Sequence, residues 1–311
     1  MITFIITTRN NPEYLETCLT QLGLQRNTNW SAIVIDTSDE IIIKKNHTLC
    51  SYYGEKIRYI KPTTEYGFAT KNNIGIKMAL ANDDCKFVCL LNDDAYIGED
   101  FIDNILKYSN EYPEVYAFSP LYMYEYIEDT IQVMGGGFFT NNALCGEAQL
   151  YNNTKIDNVP IEILSKPQYL DFGYGAALVY RREVFEIVGY LDDVFKHGFD
   201  EPDLAKRMAL KGLKIMYVPT TVYHVCGGSS KKKSTFKNLS LILAMNRARL
   251  YFLLKHYPLN VVINEEIKKL ISIILKPKSF LLELYSIGWN IIGIQSSRAQ
   301  YNKLYKYEAI I

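Results

Sequence analysis

Two acidic clusters and one histidine carry the residue types that could do chemistry. Asn92-Asp93-Asp94 follows the apolar run Phe87-Val88-Cys89-Leu90-Leu91. Adjacent carboxylates at a strand exit repel one another, and a divalent cation relieves that repulsion. Mg²⁺ and Mn²⁺ favour carboxylate oxygens together with substrate phosphates. The same triplet also suits an ordinary turn or helix cap. Phe199-Asp200-Glu201-Pro202-Asp203 is a second acidic stretch, opening a helix. Carboxylates there favour the helix dipole, and one in a cleft would serve as general base on a hydroxyl. Asp203 suits capping or orienting better than reacting. His224, ahead of Gly227-Gly228, is either a satisfied strand residue or, beside a cation held by oxygens, an imidazole ligand. Asp36-Thr37-Ser38 ends another strand. A carboxylate there can accept from a base N–H or a ribose hydroxyl, or simply make a turn.

The elements that must position these groups alternate. Ile2 to Ile6 and Ala32 to Ile35 read as buried parallel strands, with a helix between them starting at Asn11-Pro12. Tyr14, Leu15, Cys18, Leu19 and Leu22 give that helix its apolar face. Ile57 to Ile60 is a short strand, Phe68 to Leu80 a helix, Phe87 to Leu91 a strand and Glu99 to Glu111 a helix. Such alternation predicts an α/β fold: a mostly parallel central sheet flanked by helices, with ligands beyond the carboxyl ends of the strands. Asp36 and Asp93-Asp94 occupy such ends. Further on, Val115 to Tyr122 and Leu178 to Tyr180 read as strands, and Gly135-Gly136-Gly137 and Asn141-Asn142 as turns. Arg182 to Val188 and Asp203 to Lys211 read as helices, the second closed by Gly212. Lys214 to Val218 is a strand, and Thr221 to His224 continues extended. The polar run Gly227 to Lys233 sets a boundary between a catalytic domain, 1–235, and a helical C-terminal region, 236–311.

Composition narrows the class. Lys+Arg and Asp+Glu are both 34 in 311 residues, which argues against nucleic acid as a partner. The six cysteines form no CxxC pair, and Cys85 and Cys89 read as small buried hydrophobes, a pattern suited to a reducing cytosol. The N-terminus starts directly on a strand without a basic leader, and no run of 18 uncharged apolar residues predicts a spanning helix. The expected location is cytoplasmic, with the inner membrane face as an alternative.

Taken in order, these pieces resemble glycosyltransferase family 2, the inverting enzymes of the GT-A (nucleotide-diphospho-sugar transferase) fold. The matching stretches are Ile5 to Leu15 with Cys18-Leu19, Val34 to Ser38, Glu65 to Ala69 with Asn72 to Gly75, and Leu90 to Asp94. They continue with Gly173 to Leu178 and Arg181-Arg182, Val188 to Asp192, and Phe199 to Leu204 with Arg207, Gly212, Pro219 and His224. The resemblance spans about residues 2–258.

It implies roles. Thr7 and Asp36 match positions that hold the nucleobase, and Arg9 stands near the nucleotide where a tyrosine is common. Asp93 matches a ribose- or phosphate-side contact. Asp94 matches the last carboxylate of the D-x-D-type motif that binds a divalent metal, Mn²⁺ or Mg²⁺, and His224 a histidine completing that site. Glu201 falls where the family places its catalytic base. The family's usual Glu-Asp pair stands here as Asp200-Glu201, with Asp200 the alternative. Gly175-Ala176 resembles the wall between donor sugar and acceptor. The implied partners are a UDP- or TDP-linked sugar donor and a glycan or lipid-linked acceptor in surface polysaccharide synthesis. The apolar C-terminal run from Leu281 to Ile292, flanked by Lys276, Lys278 and Arg298, suits a membrane surface, a homodimer contact or packing on the catalytic domain. Two rival readings are weaker. A sugar-nucleotide nucleotidyltransferase calls for a Gly-rich basic phosphate loop, which Thr7 to Asn11 is not. A non-catalytic binding scaffold predicts loss of Asp94, Glu201 and His224, and all three are present.

Overall fold

The computed structural model describes residues 1–63, 67–138, 147–195, 198–225 and 235–274. In chain order the first elements are β1 (Ile2–Thr8), α1 (Pro12–Gly23), β2 (Trp30–Asp36), α2 (Glu40–Ser51), β3 (Ile57–Ile60), α3 (Phe68–Leu80), β4 (Phe87–Asn92), β5 (Ala95–Ile97) and α4 (Phe101–Glu111). Then come β6 (Val115–Tyr124), β7 (Thr130–Val133), β8 (Gly135–Phe138), β9 (Glu147–Leu150), β10 (Thr154–Lys155), α5 (Ile161–Leu164) and β11 (Gln168–Leu170). The last are β12 (Ala177–Arg181), α6 (Arg182–Val188), α7 (Asp200–Leu210), β13 (Lys214–His224), α8 (Thr235–His256) and α9 (Leu259–Ile274).

The chain divides into two compact units. The first gathers Met1–Phe138, Glu147–Asp193 and Asp200–Lys231; the second gathers Phe139–Gly146, Val194–Phe199 and Lys232–Ile311. In the first, β3, β2, β1 and β4 lie side by side and parallel. Beyond β4 the sheet turns mixed: β12 runs antiparallel to both β4 and β6, and β13 runs parallel to β6 and antiparallel to β5. Register aligns the strand ends, with Thr8 opposite Asp36 and Thr7 opposite Asn92. In the second unit, Arg249 on α8 donates to Glu266 on α9 at 2.5 Å. Phe195 meets Tyr251 edge-on there.

β1 is buried on both faces, as its unbroken β-branched run predicts. Phe4 and Ile6 pack with Leu15, Leu19 and Leu22 of α1 and Phe101 and Ile105 of α4. Ile5 points the other way, into a cluster with Ala69, Ile76 and Ala79 of α3. Each such fully buried side chain contributes about 1.5–3 kcal/mol. α3 comes close enough to β1 because residue 75 is glycine: a Cβ there would sit 2.3 Å from the Ile5 side chain.

Several expectations need correcting. α2 was not anticipated, because Ile41-Ile42-Ile43 is a β-branched run; only Asn46 and Cys50 of that helix are fully buried. Gly135-Gly136-Gly137 is not a turn but β8, paired with β9. Its glycines let Phe172 close over the strand, for a Cβ on Gly136 would meet that ring at 2.0 Å. Asp200 and Glu201 lie inside the first turn of α7, and 214–224 is one strand interrupted by an irregularity between Tyr217 and Thr221. Gly212, at φ +72°, closes α7 as expected. Cys18, Cys50, Cys85 and Cys89 are free and buried. Asn141-Asn142, Cys145, Cys226, the run 227–233 and the apolar C-terminal run 281–292 lie outside the described residues. Among the described residues no helix is long and apolar enough to cross a membrane.

Gly75→Ala sets two effects against each other. Alanine favours a helix interior by about 1 kcal/mol over glycine, while overpacking a core costs about 1–3 kcal/mol. We expect a net loss of stability in denaturant titration. The Ile5→Ala/Gly75→Ala double variant should be more stable than the sum of the two single losses, because the contact is then relieved. Simple additivity would place the clash elsewhere.

Candidate active site

The carboxyl ends of β1, β2 and β4 bring Thr8, Asp36 and Asn92-Asp93-Asp94 to one edge of the sheet. Asp93 is only 8% exposed and accepts a hydrogen bond from the Thr8 hydroxyl at 2.7 Å. Burial pushes its carboxyl up to about 7; the Thr8 bond lowers it, Asp94 raises it and Lys71 of α3 lowers it. A charged Asp93 is therefore costly beside Asp94, and positive charge at this edge lightens that cost. Thr8 and Lys71 were not singled out from sequence, because their partner is a residue far along the chain.

Asp94 and His224 meet as expected. His224 Nε2 lies 3.1 Å from Asp94 Oδ1, and His224 Nδ1 lies 2.9 Å from Gln132 Oε1 on β7. An amide oxygen only accepts, so Nδ1–H donates to Gln132, and Nε2 faces a carboxylate oxygen of Asp94. Two acceptors at that distance repel unless a proton or metal ion lies between them. An imidazole oriented through its far nitrogen is the usual arrangement of a ligating histidine. The pair thus fits a divalent cation. Among the described residues no group of three or more His, Cys, Asp and Glu is placed to hold a metal. A cation held by this pair would draw its further ligands from substrate and water oxygens, as hard cations at phosphate sites prefer.

Asp36 ends β2 at the same edge. It is 0% exposed. Its Oδ1 accepts from the Ser38 N–H at 2.8 Å, and its Oδ2 from Asn46 Nδ2 at 2.7 Å and the Tyr59 hydroxyl at 2.6 Å. It braces the loop from inside instead of offering an oxygen outward. The loop is also stitched to the β1 exit. The Asn10 N–H donates to the Ser38 hydroxyl at 2.7 Å, and the Asp39 N–H to Asn10 Oδ1 at 2.8 Å. Asn10 adopts φ +57° there. Thr7 is buried and Arg9 exposed at this edge.

Glu201 and Gly175 come together. A Cβ built on Gly175 would lie 1.7 Å from Glu201 Oε1, so the carboxylate rests directly on the glycine backbone. Tyr122, fully buried, holds the segment around that glycine: its hydroxyl donates to the Tyr174 carbonyl at 2.6 Å and accepts from the Ala177 N–H at 3.1 Å. The Ala176 carbonyl accepts from the Asn92 N–H at 2.9 Å. One short segment therefore touches Glu201 on one side and the start of Asn92-Asp93-Asp94 on the other. Burial raises the Glu201 carboxyl, while its own backbone N–H and the Asp200 side chain lower it. Asp200 is 1% exposed and Glu201 half-buried, so Glu201 is the more accessible of the pair. Asp203, 0% exposed, accepts from Arg207 at 2.9 Å; Arg207 also donates to the carbonyls of Val188 and Tyr190. Asp203 orients, as its sequence suggested.

Comparison with known proteins identifies the family and the fold. The family described as glycosyl transferase family 2 matches residues 3–188. The rhamnosyltransferase WbbL of Escherichia coli (strain K12) is 26% identical over 232 residues, covering 70% of this chain and 81% of that protein. Two solved structures share the fold. GalNAc-T7 with UDP, GalNAc and Mn²⁺ has a TM-score of 0.60 at 13% identity, covering 81% of this chain and 49% of that one. The mannosyltransferase PcManGT from Pyrobaculum calidifontis, in complex with GDP-Man and Mn²⁺, has a TM-score of 0.53 at 14% identity, covering 99% of this chain and 79% of that one. The chain thus spans about half the length of GalNAc-T7.

The Gln132 contact yields a prediction. Gln132→Leu should weaken Mn²⁺ binding about 10–100-fold, the usual effect of losing a ligand's orienting partner. Titration of free Mn²⁺ by electron paramagnetic resonance reads this directly. An unchanged affinity would mean that the His224 ring is held by other contacts.

Proposed function

The chain belongs to glycosyltransferase family 2 and has the GT-A fold, and on that premise we propose a specific reaction: inverting transfer of a sugar from a nucleoside-diphosphate donor to an acceptor hydroxyl. It is a glycosyltransferase. The observation that carries the finer reading is the Gly175-Ala176 segment, with the Glu201 carboxylate against Gly175 and the Asn92 end of β4 bonded to Ala176. A base and a phosphate-side carboxylate pair then flank one wall.

In this reading Glu201 takes the proton from the acceptor hydroxyl. The freed oxygen attacks the anomeric carbon from the face opposite the diphosphate, whose bond to that carbon breaks, so the configuration inverts. Asp200 donates no group to the reaction; its hydrogen bond with Glu201 orients that carboxylate. Asp94 and His224 hold a divalent cation, Mn²⁺ or Mg²⁺, which when bound offsets charge on the departing diphosphate. Thr7 and Arg9 line the nucleotide end, and Asp93 reaches the ribose or phosphate side. The likeness to a protein named a rhamnosyltransferase favours a UDP- or TDP-linked deoxyhexose as donor. A glycan or lipid-linked acceptor in surface polysaccharide synthesis completes the reading.

Two variants separate the roles. Glu201→Gln should lower kcat by about 10²–10⁴-fold, the usual contribution of a positioned base, with donor affinity spared. Asp94→Asn should instead weaken Mn²⁺ and donor binding. Nucleoside diphosphate release and donor titration measure both, and full turnover in Glu201→Gln would reject the base assignment. The pH dependence follows from the direction of the Glu201 shift. Only the deprotonated base acts, so the rate is lost as pH falls through a pKa raised above the ordinary 4.5. The acid limb of kcat/KM should lie above that value in the wild type.

A further inference from the structure

Across the β5–β13 ribbon from His224 lies a cleft that the reaction above does not use. Its volume is about 760 Å³, within the ~300–1,000 Å³ range of ligand sites. α1 contributes Gln21 to its wall, α4 and the turn before it Asn104 and Asp100, the end of β6 Glu125, and the ribbon Tyr96 and Tyr223. Tyr96 and Tyr223 are directly opposed across the antiparallel pairing, so both rings stand on one face of the ribbon. The next opposed pair is Ala95 and His224, whose side chains alternate to the other face. One ribbon thus presents the imidazole of the cation site on one side and two tyrosines on the other. Tyr223 is 48% exposed, leaving a ring face open to solvent.

The lining chemistry selects the occupant. Among the described residues, none of the twelve that line the cleft is Lys or Arg. A nucleotide or phosphate would enter a wall carrying Asp100 and Glu125 with no lining cation to oppose them. Asn104, Thr220 and Thr17 already have partners within the protein, but a purely apolar ligand would cover the two carboxylates and Gln21 without answering them, which costs binding energy. A neutral ring compound with many hydroxyls satisfies both halves: its C–H faces cover the tyrosines and its hydroxyls reach carboxylates, amides and threonines. We propose that this cleft is a saccharide subsite, holding sugar units of the acceptor glycan away from the hydroxyl that reacts. The proposal rests on the transferase reading for its biological use, although the binding itself does not require turnover.

The full chain, without donor, is tested on a printed array of neutral di- to hexasaccharides, and the best binder is then titrated calorimetrically. Wild type should bind at least one saccharide. Tyr96→Ala and Tyr223→Ala should each weaken it about tenfold, the order of one lost aromatic contact. Tyr223→Phe, which keeps the ring, should retain it. Release of nucleoside diphosphate from donor in the absence of acceptor should be the same in all four proteins. Absence of any bound saccharide, or wild-type affinity in both alanine variants, overturns the subsite. Failure of wild type to release nucleoside diphosphate from any donor would reject the transferase reading, and leaves the binding result to be judged on its own.

Discussion

Crowding of carboxylates at one sheet edge is the constraint that shapes this molecule. Parallel pairing delivers Asp36, Asp93 and Asp94 to neighbouring strand ends, and all three are largely withdrawn from water. Two like charges about 4 Å apart cost roughly 4 kcal/mol at an effective dielectric near 20. The protein answers each in a different way. Asp36 accepts from Tyr59, Asn46 and a backbone N–H. Asp93 accepts from the Thr8 hydroxyl, and burial raises its carboxyl to about 7. Asp94 faces an imidazole nitrogen. In the proposed reaction a donor diphosphate would bring more negative charge to this edge, and a divalent cation would offset it.

Precision at that edge comes from parts that do no chemistry. Strand register fixes which residues end together, and burial of β1 on both faces makes a slip expensive, because it would turn every side chain to the opposite layer. The exits of β1 and β2 are laced by Asn10, Ser38 and Asp39, so the two loops move together or not at all. On the other side of the site the Tyr122 hydroxyl pins both ends of the glycine segment. Arg207, held by Asp203, ties the start of α7 to the turn after α6. The groups proposed to react are few, and each rests on a neighbour with an assigned hydrogen bond.

Much of this was legible in the sequence. Continuous β-branched runs gave β1, β2 and β4; glycine and proline punctuation gave the ends of α1, α6 and α7; and the polar triplet after an apolar strand pointed to Asp94. The encounter of Asp94 with His224 followed from the resemblance and not from spacing, whereas the contact of Glu201 with Gly175 is seen only in the fold. What stayed hidden has a common cause. Gln132, Tyr122, Thr8 and Lys71 act through partners dozens of residues away, and one chain read alone carries no sign of such pairings. The helix 40–51 was masked by three consecutive isoleucines, whose local preference is overridden by where Asn46 and Cys50 are buried. The glycine run 135–137 was misread because glycine signals a turn more often than a strand lying beneath an aromatic ring. Asp36 was legible by its place at a strand end, but its partners Asn46 and Tyr59 were not.

The contact between Gly175 and Glu201 has a consequence for how such an enzyme can diversify. Any side chain at 175, even a methyl, would occupy the volume of the carboxylate. Enlarging that wall therefore moves the Glu201 carboxylate first. Changes at the mouth of the site leave it where it is. Libraries aimed at altered specificity should hold residue 175 fixed and spend their diversity there.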